Sequence, residues 1–592
     1  MSSAGSSREA CRLEAAGSGI NTIVERRGAF PAVTALLLLL MAALSWTAAR
    51  GDSLVWDESA HFPHGYAYWR TGNMWYDEVH AALPRLLTGA PLLLADPRTP
   101  TEHHSWATYD FLAFRHIFLF RNRVRPDTLT LLARLPSLLA ALLLGLALAL
   151  WTRAHFGALP GLLALFLYAL HPQVLAFSHY ATSDIFVTAA FFAAATAWSR
   201  HLEDRRLHTL VLAGVAAGLA LSTKYSMILL GAVFPTLYCW RWWQQPKRYS
   251  AGGLAIALLV VGACAVLTVG AVYWPVTGEV LWGGRVPMVE RVDPSTPTGR
   301  VFQDVAAHLR LPAHPYLMGF YWIAKTNESG TPAYLLGAVA NRGWWHYFPV
   351  AFLVKSPLAF LAVVAISLGA VGGWLLGARQ YMEWRRLPLA WATLAVPAVV
   401  YLGAALGASL NSGSRHLLPL LPFLCAFAGA AVGAPLASAA LLRWRTAAVA
   451  LLAAGFAAES ASAYPGYLAY FNGIAGGTRR GSEYLVDSDL DWGQDLLRLR
   501  DYLDQSRPER VCLAYFGAAD PAYYGIRSRW LPPQLPAGQP PPDCLAVVSE
   551  TYLAGLYVAP GDFGWLKQHT PAGNVGASFR LYDFRRCRTN NP

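Results

Sequence analysis

Charged residues are scarce in this chain of 592 residues, since Asp, Glu, Lys and Arg together make up only 14% of it. Hydrophobic residues, in contrast, make up 55%. A water-soluble protein of this length needs far more polar surface than such a composition provides. The composition therefore excludes a soluble globular protein and predicts a polytopic membrane protein.

Cysteine is also scarce, with seven residues in the whole chain. Three of them lie in apolar segments, where cysteine packs as a small hydrophobic side chain. Three others lie in the polar C-terminal tail, at Cys512, Cys544 and Cys587. One disulfide is possible in that tail, and one thiol would remain.

Long apolar segments are what the chain has in abundance. A helix that crosses a membrane needs about 20 consecutive apolar residues. Several of the candidate segments are short or run close together. They lie near 30–49, 128–151, 158–177, 184–199, 208–223, 226–242, 251–274, 348–376, 388–409, 415–441 and 446–464. The predicted fold class is therefore an all-α polytopic membrane protein with about eleven transmembrane helices.

The basic residues orient these segments. Lys and Arg concentrate in the short connections on one side, and Arg26 and Arg27 precede the first segment. Because cytoplasmic loops retain Lys and Arg, the formal net charge of +12 is a topology signal and does not indicate nucleic-acid binding. Residues 1–29 are then a cytoplasmic tail, and the long loops 50–127 and 275–347 lie outside. The first apolar run is longer than the about 7–15 residues of a cleaved signal, which favours a retained anchor.

The composition changes after Tyr464, where the chain becomes polar. A helix is predicted from about Gln494 to Asp504, opened by the acidic run 487–491, because carboxylates favour a helix N-terminus. Short apolar runs near 511–516, 545–548 and 577–584 predict strands. Residues 466–592 are therefore expected to form a small extracytoplasmic α/β domain.

An acidic pair, Asp57 and Glu58, follows the first apolar segment by a few residues, with Trp56 before it and His61 after it. A carboxylate at the membrane surface, a few residues beyond a membrane-spanning segment, can reach both an aqueous acceptor and a lipid phosphate. General base catalysis requires a carboxylate within hydrogen-bond reach of a nucleophilic hydroxyl. Acidic residues beside a membrane also occur simply as soluble loop residues, so the position alone leaves both interpretations open.

This sequence motif resembles one in the first external loop of the protein O-mannosyltransferases, in which an Asp-Glu pair is followed closely by His-Phe. The wider group is the GT-C superfamily of lipid-linked sugar transferases, which includes the lipid A aminoarabinose transferases. The layout is similar as well, with a cytoplasmic N-terminus, a catalytic first external loop and about eleven spans. The resemblance implies a GT-C-like catalytic domain over 30–465, in the inner (plasma) membrane of a bacterium.

The resemblance implies a role for each residue of the first loop. Asp57 would deprotonate an acceptor hydroxyl, which attacks the anomeric carbon of a polyprenyl-phosphate sugar with inversion. Glu58 and His61 would orient the base or the acceptor. A second motif in the same loop contains Asp77, Glu78 and His80, and these residues would position the acceptor. It departs from the family pattern by inserting residues between Asp and His and by replacing Pro-Pro with Ala-Ala.

A transferase of this kind must supply positive charge where the donor phosphate lies. Lys224, Arg415 and His416 stand at outward helix ends, and Lys224 matches a Thr-Lys element of the aminoarabinose transferases. Asp184 begins the fourth span, as an outward Asp does in that group, and would help to position the reactants. Each of these residues also fits a simpler role, in which it anchors its helix at the membrane surface.

Lys355 lies about two turns inside an apolar segment, after the aromatic stretch that includes Trp344 and Trp345. An ionisable residue inside a span is costly and marks a functional candidate. The surrounding sequence resembles a motif in bacterial membrane glycosyltransferases of the same broad group. This resemblance implies that Lys355 contacts the donor phosphate. Lys355 is also close enough to the surface for its ammonium to reach water.

No cofactor is predicted. The acidic run 487–491 resembles the start of a calcium loop, but its glycine falls at Gly493, one place late, and Arg498 stands where a glutamate is required. A divalent metal at Asp57 stays possible, but the closer relatives imply none. The expected partners are a polyprenyl-phosphate-linked sugar, membrane lipids and an extracytoplasmic acceptor, which is a protein hydroxyl, lipid A or a cell-surface glycan.

Three alternative functions remain open. A non-catalytic membrane scaffold or receptor would use the outward tail for binding and would not need Asp57. A membrane oligosaccharide polymerase or ligase would transfer from a diphosphate lipid and would need a more basic outward pocket. A secondary transporter would also be polytopic, but it should show paired halves or broken helices at corresponding positions. The sequence contains no internal repeat of that kind.

Overall fold

A computed structural model gives the fold of the chain. The structure describes residues 28–73, 80–108, 110–277, 292–308, 314–377, 387–433, 439–536 and 539–585. The cytoplasmic tail predicted over 1–29 therefore lies almost entirely outside the described residues.

Helices dominate the chain up to residue 462. In chain order they are α1 Ala29–Gly51, α2 Glu58–Thr71, α3 Ala82–Gly89, α4 His104–Thr108, α5 Phe111–Phe120, α6 Pro126–Phe156, α7 Ala158–Ala169, α8 Pro172–Phe177, α9 Asp184–Asp204, α10 Leu207–Thr223, α11 Leu230–Gln244, α12 Ala251–Thr277, α13 Pro297–His308, α14 His314–Ser329, α15 Tyr347–Lys355, α16 Leu358–Gly377, α17 Leu389–Leu406, α18 Leu421–Gly433 and α19 Ala439–Ser462. A short hairpin, β1 Ala333–Leu335 and β2 Ala338–Ala340, interrupts this series.

Five described helices are long and apolar enough to cross a membrane, and a bent pair, α15 and α16, makes a sixth if it counts as one span. The five are Ala29–Gly51, Pro126–Phe156, Ala251–Pro275, Leu389–Leu406 and Ser414–Val432. The predicted class of helical membrane protein is confirmed. The count of eleven stays a prediction, because several predicted segments form shorter or interrupted helices. The segment predicted over 158–177, for example, breaks before Pro172, where the residue preceding a proline avoids helical geometry.

Small residues allow α10 and α12 to pack closely. A side chain at Gly218 would come within 2.7 Å of the carbonyl oxygen of Ala265, and one at Gly214 within 2.5 Å of the Cβ of Cys264. The two glycines are four residues apart and so share one face of α10. This spacing lets the backbones approach as in other membrane helix pairs, and the contact fixes the end of α10, where Lys224 lies.

The C-terminal part of the chain contains helix α20 Leu496–Ser506, a short helix α21 Glu550–Leu553 and a five-stranded mixed sheet. The strands are β3 Val511–Ala514, β4 Arg529–Trp530, β5 Leu545–Ser549, β6 Gly573–Val575 and β7 Phe579–Asp583, in the order β4-β3-β5-β7-β6. β3 is parallel to β4 and β5, whereas β7 is antiparallel to β5 and β6. The three predicted strands are confirmed, and the domain boundary at 465 stays a prediction.

A disulfide joins Cys512 on β3 to Cys544, the residue immediately before β5. It links two neighbouring parallel strands and encloses the loop that carries β4. The one disulfide considered possible from the sequence is therefore present. Cys587 lies outside the described residues.

The segment between α1 and α2 is hydrogen-bonded to the chain just before α20. The amide of Ser53 donates to the carbonyl of Gln494 at 2.9 Å, and that of Trp56 donates to the carbonyl of Trp492 at 3.0 Å. Next to them, Asp52 accepts hydrogen bonds from Arg498 at 2.8 Å and from Tyr180 at 2.6 Å. These contacts hold the C-terminal part of the chain directly against the segment that carries Asp57.

Candidate functional site

Asp57 lies at the first turn of α2, where its backbone carbonyl accepts a hydrogen bond from the amide of His61. Its carboxylate is 22% exposed and therefore accessible from solvent. Oδ2 of Asp57 accepts a hydrogen bond from Nη1 of Arg415 at 2.5 Å. The predicted base and one of the predicted phosphate-binding residues, 358 positions apart, thus form an ion pair.

Arg415 is held by a 3-10 turn, Ser414–Leu420, between α17 and α18. Gly413 precedes the turn with a φ of 102°, which an L side chain rarely adopts. The guanidinium donates through Nε to the carbonyl of Ser412 at 3.0 Å and lies 4.5 Å above the ring of Trp492. These contacts fix the plane of the guanidinium and direct Nη1 toward Asp57.

A second ion pair adjoins the first. Nζ of Lys224, at the C-terminal end of α10, lies 3.2 Å from Oδ1 of Asp184, the first residue of α9. Oδ2 of Asp184 lies 3.9 Å from Nη1 of Arg415, and Nζ of Lys224 lies 3.3 Å from Nδ1 of His416. The structure therefore brings Asp57, Asp184, Lys224, Arg415 and His416 together in one cluster, in which two carboxylates face two cations.

Glu58 lies beside Asp57 in sequence but points into the protein. Its side chain is fully buried and forms a two-pronged ion pair with Arg134 of α6, with both N···O distances at 2.7 Å. The carboxylate also accepts hydrogen bonds from the amides of Val55 and Ala181. Such contacts fix the start of α2 relative to α6 and α9, so Glu58 holds Asp57 in place through the backbone. Sequence reasoning missed Arg134, which is 76 residues away.

His61 and His80 form a separate group in the first loop. Their rings are 4.9 Å apart, and Nδ1 of His80 lies 2.9 Å from Nη2 of Arg85. His61 is almost fully buried. Asp77 and Glu78, the other residues predicted to position the acceptor, lie outside the described residues.

Lys355 is buried at the C-terminal end of α15. Its ammonium donates to the carbonyls of Leu468 and Asp489, at 2.7 and 2.6 Å, and lies 4.2 Å above the ring of Phe471. All the contacts found for this ammonium in the described part of the chain are with residues 468–489. The geometry therefore joins Lys355 to the C-terminal segment and only indirectly to the Arg415 turn.

The acidic run 487–491 has a different role from the one predicted. Its first three residues, Asp487–Asp489, form a separate 3-10 turn that ends well before α20 begins, so the expectation that the run opens the helix is wrong. The carboxylate of Asp489 accepts hydrogen bonds from the amide and hydroxyl of Ser414, and that of Asp491 accepts one from the amide of Thr551. Buried carboxylates require such partners. Through these hydrogen bonds, the acidic run attaches to the Arg415 turn on one side and to helix α21 on the other.

No group of three or more His, Cys, Asp or Glu side chains arranged for a metal ion occurs among the residues that the structure describes. The run of Asp residues was visible in the sequence. The sequence did not show that each of these carboxylates contacts a different partner: Tyr557, Ser414 or Thr551.

Asp487 adds a titratable group beside the cluster. Burial raises the pKa of its carboxyl to about 7; Arg415 opposes this shift, whereas Asp57 and Asp489 add to it. Its Oδ2 accepts a hydrogen bond from the hydroxyl of Tyr557 at 3.0 Å. The carboxyl therefore changes charge near neutral pH, next to the ion pair of Asp57.

This pKa predicts a pH dependence of stability. Because the folded-state pKa of Asp487 lies above the ordinary value of 3.8, its contribution to stability is fully present below about pH 4 and is lost as the pH rises through about 7. Asp487→Asn removes the titration, so the loss of unfolding free energy over that interval becomes smaller. Unfolding of the purified protein at several pH values measures this slope. The exposed Asp504→Asn is the control, and an unchanged slope in Asp487→Asn would contradict the assignment.

Comparison with known proteins identifies a related family. Residues 127–265 match the model of a family described as dolichyl-phosphate-mannose-protein mannosyltransferase. This segment resembles that family. It contains Asp184 and Lys224, the ion pair beside Arg415, but it is less than half of the chain. The resemblance to the protein mannosyltransferases predicted from the sequence is confirmed over that segment. No curated protein sequence matches the chain.

Several solved structures align with the chain at low identity, among them those of two proteins, ArnT and AglB. The crystal structure of ArnT from Cupriavidus metallidurans bound to undecaprenyl phosphate gives a TM-score of 0.44 and 13% identity, over 92% of this chain and 97% of that one. The archaeal oligosaccharyltransferase AglB from Archaeoglobus fulgidus, in complex with an inhibitory peptide and a dolichol-phosphate, gives 0.42 and 12%, over 72% of this chain. The alignment spans 56% of the length of AglB.

Proposed function

We propose that the chain is an integral membrane glycosyltransferase that transfers a sugar from a polyprenyl-phosphate donor to an extracytoplasmic acceptor with inversion. One observation carries this proposal. The partly exposed Asp57 contacts Arg415 at 2.5 Å, beside the ion pair of Lys224 and Asp184. A base and two cations at one accessible point are the groups that such a transfer requires.

The two cations fit a lipid phosphate. An arginine guanidinium binds phosphate oxygens through parallel hydrogen bonds, and a lysine ammonium supplies a second charge. Such charge acts strongly where water is largely excluded, and the Arg415 side chain is only 13% exposed. As the leaving group, the phosphate would gain negative charge, which Arg415 and Lys224 would stabilise.

Because Asp57 is paired with Arg415, binding of the donor phosphate would also affect Asp57. A phosphate that binds Arg415 competes with Asp57 for the same guanidinium. Asp57 then loses its cationic partner, and its Oδ2 becomes available to the acceptor hydroxyl. The donor would thus free the base. Asp57 takes the proton of the acceptor hydroxyl, and the oxygen bonds to the anomeric carbon. The bond from that carbon to the phosphate oxygen breaks, leaving its electron pair on the phosphate.

The remaining predicted residues are proposed to have supporting roles. Glu58 positions Asp57 through its buried pair with Arg134, and Asp184 positions Lys224 and Arg415. His416 contacts Lys224, while Lys355 holds the segment that contains Asp489. His61 and His80 would act on the acceptor side of the first loop.

The proposed topology has about eleven crossings and a cytoplasmic N-terminus. Shorter apolar helices, among them Ala158–Ala169, Leu207–Thr223 and Thr446–Ser462, would supply crossings beyond the five or six long spans. Asp57 and residues 466–592 would then lie on the extracytoplasmic side of a bacterial inner membrane. The acceptor there would be a protein hydroxyl, lipid A or a cell-surface glycan.

Binding of a lipid phosphate tests the site directly. A lost hydrogen bond between charged groups costs about 1.5–3 kcal/mol, so Arg415→Ala and Lys224→Ala should each weaken binding of undecaprenyl phosphate roughly 10- to 100-fold. Binding is measured on the full chain in lipid nanodiscs. Arg415→Lys, which keeps the charge but not the paired donors, should show a smaller loss. Arg98→Ala, at an exposed position of the first loop, is the matched control.

Transfer activity provides the second test. The purified chain is incubated with a panel of polyprenyl-phosphate sugars, and hydrolysis or transfer of the sugar is measured. Unchanged phosphate binding in both Arg415→Ala and Lys224→Ala would contradict the proposed donor site. A failure to use any donor of the panel would count against the transferase.

A further inference from the structure

Three aromatic rings form a stack between the first external loop and the C-terminal sheet. The rings of Trp56 and Phe516 are 5.6 Å apart with an interplanar angle of 11°, and those of Phe516 and Tyr557 are 5.4 Å apart at 20°. The guanidinium of Arg115 lies 4.4 Å above the ring of Trp56. Phe516 is thus enclosed between two rings, and Tyr557 forms the other end of the stack.

Tyr557 remains open to solvent, because the residue is 48% exposed whereas Phe516 is 5% exposed. Tyr557 also has an unusual backbone, with a φ of 61°. Asp487, which accepts the hydrogen bond from the Tyr557 hydroxyl, has a φ of 57°. Left-handed geometry is costly for an aromatic residue, and such strain is concentrated at functional sites.

The open end of the stack adjoins the cluster around Asp57. The residues next to Asp487 contact the Arg415 turn, since Ser488 donates to the carbonyl of Ser412 at 3.0 Å and Asp489 accepts from Ser414. Asp487 and Tyr557 both interact electrostatically with Arg415 and Asp57. An exposed ring and a carboxyl therefore stand at the edge of the proposed catalytic centre.

We propose that Tyr557 and Asp487 form a subsite for one sugar ring beside Asp57. This inference rests on the proposed function and adds a binding site supplied by the C-terminal part of the chain. A sugar ring presents an apolar C–H face and a rim of hydroxyl groups. The C–H face of the sugar would stack on the open face of the Tyr557 ring. The carboxyl of Asp487 would accept a hydrogen bond from one of the sugar hydroxyl groups.

Other ligands match this pair less well. An isoprenoid chain has no hydroxyl groups for the carboxyl of Asp487 to bind. A phosphate would be repelled by that carboxylate and attracted to Arg415 and Lys224 instead. The sugar has two sources, the donor and a glycan acceptor, because both would bring a ring to the carboxylate of Asp57.

Saturation-transfer NMR tests the subsite with simple probes. Methyl glycosides of mannose, glucose, galactose and arabinose are added to the full chain in nanodiscs. At least one glycoside should bind, and Tyr557→Ala should weaken its affinity roughly 2- to 10-fold, as expected for one lost stacking partner. Asp487→Ala should weaken it as well, while Tyr557→Phe keeps the ring and loses less. Trp530→Ala is the control, because Trp530 is 62% exposed but lies on strand β4.

Competition distinguishes the two sources. If the subsite holds the donor sugar, a polyprenyl-phosphate sugar displaces the glycoside and bare polyprenyl phosphate does not. If it holds an acceptor sugar, the glycoside stays bound in the presence of either lipid. Absence of binding by every glycoside, or equal binding by the wild type and Tyr557→Ala, overturns the subsite. Thermal unfolding of each variant shows whether it is folded. Where an alanine variant is unfolded, Tyr557→Leu, which removes the aromatic ring but keeps apolar volume, and Asp487→Asn replace it.

The glycosides carry neither phosphate nor lipid, so their binding does not depend on transfer. Glycoside binding that needs Tyr557 in a chain without transferase activity would overturn the proposed function and leave the subsite intact. Active transfer that is indifferent to Tyr557→Ala and Asp487→Ala, without glycoside binding, would overturn the subsite alone.

Discussion

Replacing Asp57 with asparagine is expected to lower kcat of sugar transfer by about 10²- to 10⁴-fold, the range typical for loss of a general base. The KM for the lipid donor should stay the same or fall. Asp57 competes with the donor phosphate for Arg415, and the neutral asparagine competes less. Steady-state kinetics on the full chain, with a donor accepted by the wild type, separates the two constants.

Asp96→Asn is the matched control for that experiment. Asp96 belongs to the same loop, but it is about half exposed and pairs with Arg123 at the surface. Exposed pairs of this kind contribute little to stability, so kcat should be close to that of the wild type. If Asp57→Asn keeps kcat within a few-fold of the wild type, or mainly raises the donor KM, Asp57 is not the base and serves instead to position Arg415.

Replacing Arg134 with alanine is expected to destabilise the protein by about 3–5 kcal/mol, the usual cost of leaving one member of a buried ion pair without its partner. Glu58 would remain fully buried opposite an empty position. Arg134 also donates to the backbone carbonyls of Ala49, Asp52 and Ser53, which would lose their donor too. Thermal unfolding of the purified chain and the amount of protein in the membrane measure the effect.

A double variant separates charge from hydrogen bonding. Glu58→Leu combined with Arg134→Met removes both charges and keeps apolar volume, so it should recover part of the stability lost in Arg134→Ala. Recovery stays incomplete, because the three carbonyls still lack a donor. Arg125→Ala, at a position 75% exposed, is the control and should change little. An Arg134→Ala protein as stable as the wild type would show that this pair does not hold the first loop.

The general class of the fold followed from composition, because long apolar runs have few alternatives to membrane helices. The strands at Val511–Ala514, Leu545–Ser549 and Phe579–Asp583 were also predictable from short apolar runs between turn residues. Helix lengths were not. The chain from 158 to 177 looked like one apolar segment, yet Pro172 divides it into two helices, and only packing decides whether such a break is tolerated.

The candidate site was only partly accessible to sequence reasoning. Asp57 could be selected from its position after an apolar segment and from the resemblance of the surrounding motif to the protein O-mannosyltransferases. Lys224 and Arg415 could be selected from their positions at helix ends. Glu58 looked equivalent to Asp57 until the structure placed it against Arg134. The acidic run 487–491 looked like a helix start, but Asp489 holds the Arg415 turn instead.

The sequence by itself determined that this protein is built for a membrane and that an acidic pair follows its first apolar segment. Local patterns carry this information, because burial and helix formation depend on neighbouring residues. Only the tertiary structure decided that Asp57 contacts Arg415 and that Glu58 contacts Arg134. Partners 76 and 358 positions apart are selected by the packing of whole helices, which also brings the aromatic stack of the C-terminal region to the same place.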